Sequence, residues 1–116
     1  MAIVASLLAW AFLAQASTTH EAKLDDPKTY LKNLAGTDYE ILYRIAYCES
    51  GWKETAKNPN SSASGLFQFI SSTWKRYGQG DVFDPYNNIN AAVDLYRAEG
   101  TRPWLASSKC WQDMVR

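Results

Sequence analysis

The chain offers little to bind a metal and has no surplus of charge. Its 116 residues include one histidine and two cysteines. A zinc site takes four ligands, commonly His and Cys, and the one histidine, His20, lies close to the N-terminus. No metal or organic cofactor is expected. Lys and Arg number 12, Asp and Glu number 12, and the formal net charge is zero. Proteins held to nucleic acid through phosphates carry a basic excess, and polybasic membrane-surface proteins carry Lys/Arg clusters. This composition argues against both. Internal repeats and low-complexity tracts are also lacking, and the length suits one domain. With 47% apolar and 21% charged residues the chain is globular in composition rather than disordered.

Charge is missing altogether from the first twenty residues. Ala2 to Ala16 reads AIVASLLAWAFLAQA, an apolar run closing on Ala14-Gln15-Ala16. This is the apolar centre and small-residue end of a secretory leader, although no Lys or Arg precedes it. It is short for a membrane span, which takes about 20 residues. The expectation is a leader over 1–16, a connector and short helix over 17–36, and an exported domain over 37–116. An uncleaved anchor is the alternative. Cys48 and Cys110 form an even set, which in an exported chain suggests one disulfide. It would close a loop of 62 positions and contribute roughly 4 kcal/mol. Two free buried thiols are the other reading.

Aromatics are plentiful at 14%: 5 Trp, 7 Tyr and 4 Phe. Some are expected to line a groove rather than fill a core. Around them the pattern is mostly helical. Asp26-Pro27 reads as an N-cap and first helical residue, with Gly36 as the stop. Thr37 and Glu40 have the spacing of a capping box. They would open a helix through Ile41, Leu42, Ile45 and Ala46 to Gly51. Lys53 to Ser64 reads as a loop. The dense apolar run Gly65 to Ile70 holds one polar residue, Gln68, and suits a short strand or the approach to a helix. A helix follows over Ser71 to Tyr77, ended by Gly78 and Gly80. Asp84-Pro85 starts another, with Ile89, Ala92, Val93 and Tyr96 at helical spacing and Gly100 at its end.

The sharpest single feature is Glu49. It lies seven residues after Leu42 and four after Ile45, so helical geometry puts its carboxyl on the apolar face. A surface helix keeps Glu on the opposite side. Burial disfavours the charged form and raises a carboxyl pKa, and the nearby helix C-terminus pushes the same way. That is how a general acid for glycoside cleavage is made. An ion pair with Arg44 or Lys53 is the structural alternative.

The residues around Glu49 narrow this. Ile45-Ala46-Tyr47-Cys48-Glu49-Ser50-Gly51-Trp52 resembles the Glu-Ser motif of lytic transglycosylase (SLT) domains, the peptidoglycan-cleaving enzymes of the lysozyme-like superfamily. Ser64-Gly65-Leu66-Phe67-Gln68-Phe69 resembles that family's Gly-Leu-Met-Gln motif. Ile70-Ser71-Ser72-Thr73-Trp74 looks like its Thr-Trp helix start, and Asp84-Pro85 with Asn88-Ile89 is similar to its Asp-Pro-x-x-Asn-Ile helix. The resemblance is closer still to the resuscitation-promoting-factor domains, in which a cysteine precedes the catalytic Glu and pairs with one near the domain's end. Cys48 and Cys110 match that arrangement, and Gly100 to Trp104 is similar to the Gly-x-x-x-Trp ending. Together the motifs cover Thr37 to Trp111.

The resemblance implies an α+β, predominantly helical, lysozyme-like fold with one Cys48–Cys110 disulfide and at most a short hairpin near Leu66 to Ile70. It implies a monomer acting on peptidoglycan glycan strands, and it assigns roles. Glu49 is the acid and then the base. Ser50 orients it, and Gln68, Thr73 and Trp74 line the groove. Tyr96 and Trp104 are further substrate-binding candidates, with Trp52 a weaker one. Each aromatic has a core-packing alternative. One Glu suffices for a transglycosylase, which forms a 1,6-anhydro sugar without consuming water. A hydrolase needs a second carboxylate, for which Asp81 and Asp84 are candidates, although Asp84 already reads as a helix cap. The family's Ala-Tyr-Asn motif is absent, and Tyr96 is the guess for its tyrosine.

Overall fold

Proline at a first helical position fixes φ and gives up only an amide that the helix would leave unpaired. The chain uses this device twice. In the computed structural model, which describes residues 24–114, Asp26 accepts from the Thr29 amide (3.4 Å) and opens α1, Pro27–Ala35. Asp84 accepts from the amides of Tyr86 (2.9 Å) and Asn87 (3.0 Å) and opens α4, Pro85–Glu99. Between them lie α2, Tyr39–Ser50, and α3, Ser71–Tyr77. A 3-10 turn over Arg102–Ser107 and α5, Ser108–Asp113, finish the described chain. The expected leader and His20 lie outside the described residues. No helix among the described residues is long and apolar enough to cross a membrane.

The Thr37–Glu40 capping box does not form. Gly36–Asp38 is a 3-10 turn, α2 begins at Tyr39, and Asp38 makes no side-chain cap bond. An N-cap residue normally has extended dihedrals. Here Gly36 breaks α1 at φ 59°, and Asp38, the residue directly before α2, keeps right-handed helical dihedrals rather than the extended ones a capped start takes.

The core gathers Leu31 and Ala35 of α1, Leu42, Ile45 and Ala46 of α2, and Ile89, Ala92, Val93 and Leu95 of α4. Leu66, Phe67 and Phe69 enter it from the loop, and Trp104 and Trp111 from the C-terminal segment. Burial on several sides of α4 makes it the central helix, and its gently apolar sequence is explained by the small Ala91 and Ala92 among the buried residues.

No strand forms among the described residues, and the fold is predominantly helical. Two isolated antiparallel bridges, Lys57 with Ser64 and Ser64 with Phe69, are the whole of the β character. Ser64 and Phe69 exchange both backbone hydrogen bonds at 3.0 Å around a tight turn. That turn takes two left-handed residues, Gly65 at φ 80° and Gln68 at φ 53°. A Cβ on Gly65 would meet the Asn88 amide at 2.3 Å and the Val82 carbonyl at 2.6 Å. Glycine is required there for space as well as for its dihedral. The Cys48–Cys110 disulfide joins α2 to α5, with Cα atoms 6.0 Å apart.

Candidate active site

Glu49 lies in the last turn of α2, one residue after the disulfide cysteine, and lines a groove of about 410 Å³. The groove is built from four stretches. α2 gives Glu49, and the loop gives Phe67, Gln68, Phe69 and Ile70. α3 gives Thr73, Arg76 and Tyr77, while α4 and the following turn give Leu95, Glu99, Arg102, Pro103 and Trp104. Burial pushes the Glu49 carboxyl above the ordinary glutamate range. The Ser107 hydroxyl, which lies beside this carboxyl and 3.1 Å from the Trp104 carbonyl, acts in the opposite and smaller sense. No ion pair joins Glu49 to Arg44 or Lys53: among the described residues the single ion pair is Glu99 with Arg102. A carboxyl kept protonated closer to neutrality is chemically able to give a proton to a leaving oxygen and take one back afterwards.

The loop that faces Glu49 is held by side chains rather than by a sheet. Asn88 is fully buried on α4. Its Oδ1 accepts from the Phe67 amide (2.9 Å), and its Nδ2 donates to the carbonyls of Val82 (2.9 Å) and Ser64 (3.5 Å). On the other side, the Trp104 indole donates to the Phe67 carbonyl at 3.1 Å, and the Trp111 indole donates to the Trp104 carbonyl at 3.2 Å. Buried backbone groups need such partners. The Gln68 amide nitrogen closes the loop from within, donating to Gly65 (2.9 Å) and Ala56 (3.2 Å) carbonyls. Its Oε1 accepts from no donor among the described residues, so a ligand hydroxyl or amide has an acceptor there.

Of the residues singled out from sequence, the structure brings Glu49, Gln68, Thr73 and Trp104 to one groove. Trp104 is only 4% exposed, so it supplies a floor and an anchor rather than an open stacking face. Ser50, Trp74 and Tyr96 do not line the groove. The Ser50 hydroxyl donates back to the Ala46 carbonyl at 3.0 Å, inside its own helix. Trp74 meets Phe69 edge to face at 5.3 Å, and its indole donates to the Gly80 carbonyl at 3.3 Å. Tyr96 packs on the core. Trp52 sits between Tyr43 (5.4 Å) and Phe67 (6.5 Å) and borders a separate hollow with Lys28 and Glu54.

The two aspartates weighed as second carboxylates are engaged elsewhere. Asp81 accepts from the Phe83 amide at 2.9 Å, and Asp84 caps α4. Neither lines the groove. The groove's other carboxylate is Glu99, which sequence reasoning missed, as it missed Arg76, Tyr77 and Arg102. A signal existed for one of them. An acidic residue directly before a helix-stopping glycine opposes the helix dipole, and an arginine three residues on is its natural partner. Among the described residues no group of three or more His, Cys, Asp and Glu is placed to hold a metal ion.

Comparison with known proteins agrees with this geometry. The family description "Transglycosylase SLT domain" matches residues 28–101, a span holding Glu49, the loop and all of α4. The chain is 33% identical over 103 residues to the probable transglycosylase SceD of Staphylococcus aureus strain Newman, and equally to that of strain USA300. The match takes in 80% of this chain and 45% of the staphylococcal protein, so the chain spans about half the length of these curated relatives. No solved structure matches it significantly. With the family match covering well over half of its residues, the chain belongs to the transglycosylase SLT domain family of the lysozyme-like superfamily.

Proposed function

We propose that the protein is a peptidoglycan lytic transglycosylase that cuts the β-1,4 bond between N-acetylmuramic acid and N-acetylglucosamine. The observation that carries this reading is Glu49: a half-buried carboxyl, raised by burial, without a cationic partner, in the groove of an SLT-family chain. Glu49 protonates the departing glycosidic oxygen. The resulting carboxylate then removes the proton from the muramic acid 6-hydroxyl, which closes on the anomeric carbon to give a 1,6-anhydro end. Gln68 holds a sugar hydroxyl or acetamido group through Oε1, and Thr73 offers a hydroxyl from α3. Trp104 fixes the loop on which Gln68 stands. Export is part of the proposal. It is supported by the leader pattern over 1–16 and by the Cys48–Cys110 bridge, since disulfides persist in oxidising compartments.

The test is mass spectrometry of purified peptidoglycan digested by the protein, beside a Glu49→Gln control. Anhydro-muropeptides that vanish in the control are the expected result. One observation favours a second reading, a muramidase that uses water: Glu99 shares the groove with Glu49. Retention and inversion both call on a second carboxylate. In that case the products have reducing ends, and Glu99→Gln abolishes them. Absence of any product from the unmodified protein overturns both readings.

A further inference from the structure

Four charged side chains line the groove: Glu49, Glu99, Arg76 and Arg102. The chain as a whole is neutral, so their balance is a local property. Glu99 and Arg102 compensate one another. Arg76 is exposed, lies over the Tyr77 ring at 5.8 Å, and has no carboxylate partner among the described residues. When Glu49 holds its proton, as the first step requires, the groove is left with one net positive charge. Arg102 has more to offer than its ion pair uses. Its side chain is 72% exposed against 23% for Glu99, and the bond to Glu99 runs through Nη2 alone. A guanidinium has five donors in a fork that matches a carboxylate.

We propose that Arg76 and Arg102 form an anion subsite of the groove that recognises the carboxylates carried by muramic acid substituents. The inference rests on the peptidoglycan reading above and deepens it. A neutral polymer of N-acetylglucosamine has the same β-1,4 backbone and no such group, so the two arginines give the groove a preference for muramyl strands. The carboxylate has two possible sources. In peptide-bearing strands it belongs to the stem peptide. In strands stripped by an amidase it is the free lactyl group.

The test uses the Glu49→Gln protein, which leaves the ligand uncut, titrated by tryptophan fluorescence at low and high salt. Three probes are compared: chitohexaose, peptide-bearing glycan strands, and the same strands after amidase treatment. The expected result is binding of at least one muramyl probe about five- to tenfold tighter than chitohexaose at low salt, in line with two exposed charge pairs, with the gap narrowing at high salt. Whichever muramyl probe keeps the advantage identifies the source of the carboxylate. Adding Arg76→Gln and Arg102→Gln brings the ratio close to one. Adding Glu99→Gln instead frees Arg102 and widens it, a change of opposite sign that misfolding does not imitate. Equal affinity for all three probes, or a preference unchanged in the double arginine variant, overturns the subsite while leaving the peptidoglycan reading intact. Failure to bind any probe overturns both.

Discussion

Two helix C-termini face one groove. α2 ends in Glu49 and Ser50 before Gly51, and α4 ends in Glu99 before Gly100. Both glutamates line the groove, and both sit where a helix dipole disfavours an anion. What packs on each final turn makes them different. Cys48 ties the end of α2 to Cys110, and the turn carrying Trp104 and Ser107 comes down beside Glu49. Its carboxyl is desolvated and meets no cation. After Gly100 the chain bends instead into Thr101 and Arg102, which returns as a partner three residues on. The same side chain at nearly the same helical position is thereby desolvated and unpaired at one end and paired with a cation at the other, and in the function proposed above it is the unpaired one that transfers the proton. Environment, more than residue type or helix position, assigns the role of a carboxyl.

The largest effect should come from exchanging the two. Glu49→Gln is expected to lower the wall-cleaving rate by about a thousandfold, the range over which a general acid acts. Glu99→Gln is expected to change it by no more than about fivefold. Release of soluble muropeptides measures both, and comparable losses would erase the distinction drawn here. The pH profile sharpens it. Because the Glu49 pKa is raised, the protonated acid persists above the ordinary glutamate range, and the rate falls as pH rises through that raised value. Glu99→Gln should leave this limb where it is.

The disulfide is the covalent half of the difference, since it holds one glutamate's helix and not the other's. It closes a separation of 62 residues. Replacing both cysteines by serine is expected to remove about 4 kcal/mol of stability by the loop-entropy relation, read as a lowered denaturation midpoint. Residual activity well below the folded fraction would show that the bridge also positions Glu49. Next in size is the loop opposite. Asn88→Leu leaves the Phe67 amide and Val82 carbonyl without their partner, which should destabilise the fold by about 2–3 kcal/mol. An unchanged melting temperature would mean that water or a shifted loop replaces Asn88.

Much of this was legible before the fold was known, for reasons that can be stated residue by residue. Pro27, Pro85, Gly36, Gly51 and Gly100 mark helix ends because their backbone chemistry admits few other places. The 3.6-residue period put Glu49 on the inner face of α2, where it is. Aromatic identity was less informative. A Trp is large and flat in any setting, and Trp74, Trp52 and Tyr96 turned out to pack on neighbours rather than on open groove. The Thr37–Glu40 spacing misled because a 3-10 turn over Gly36–Asp38 leads into α2 and Asp38 is already helical at its start, which no four-residue pattern reveals. Asn88 and Arg76 were out of reach for a different reason. Their roles depend on which remote elements meet, and that is a property of the packed chain.

The smallest expected effect is also the one that separates function from stability. A carboxyl whose pKa is higher in the folded protein than in the unfolded chain binds protons more readily when folded. Between the two values the folded state holds more protons, and stability therefore falls as pH rises through that window. Above that window Glu49 is ionised, and its buried charge works against the fold with no cation to offset it. Glu49→Gln removes that charge while keeping the shape. At a pH above the raised value the variant should melt slightly above the unmodified protein, and the difference should vanish at a pH low enough to protonate Glu49 in both states. Glu99→Gln should not raise the melting temperature, because it breaks the pair with Arg102 and removes no isolated charge. Thermal melts of the three proteins at two pH values measure this directly. A Glu49→Gln variant less stable than its parent above that pH would mean that Glu49 is held by favourable contacts after all, and that the two helix ends are more alike than their surroundings indicate.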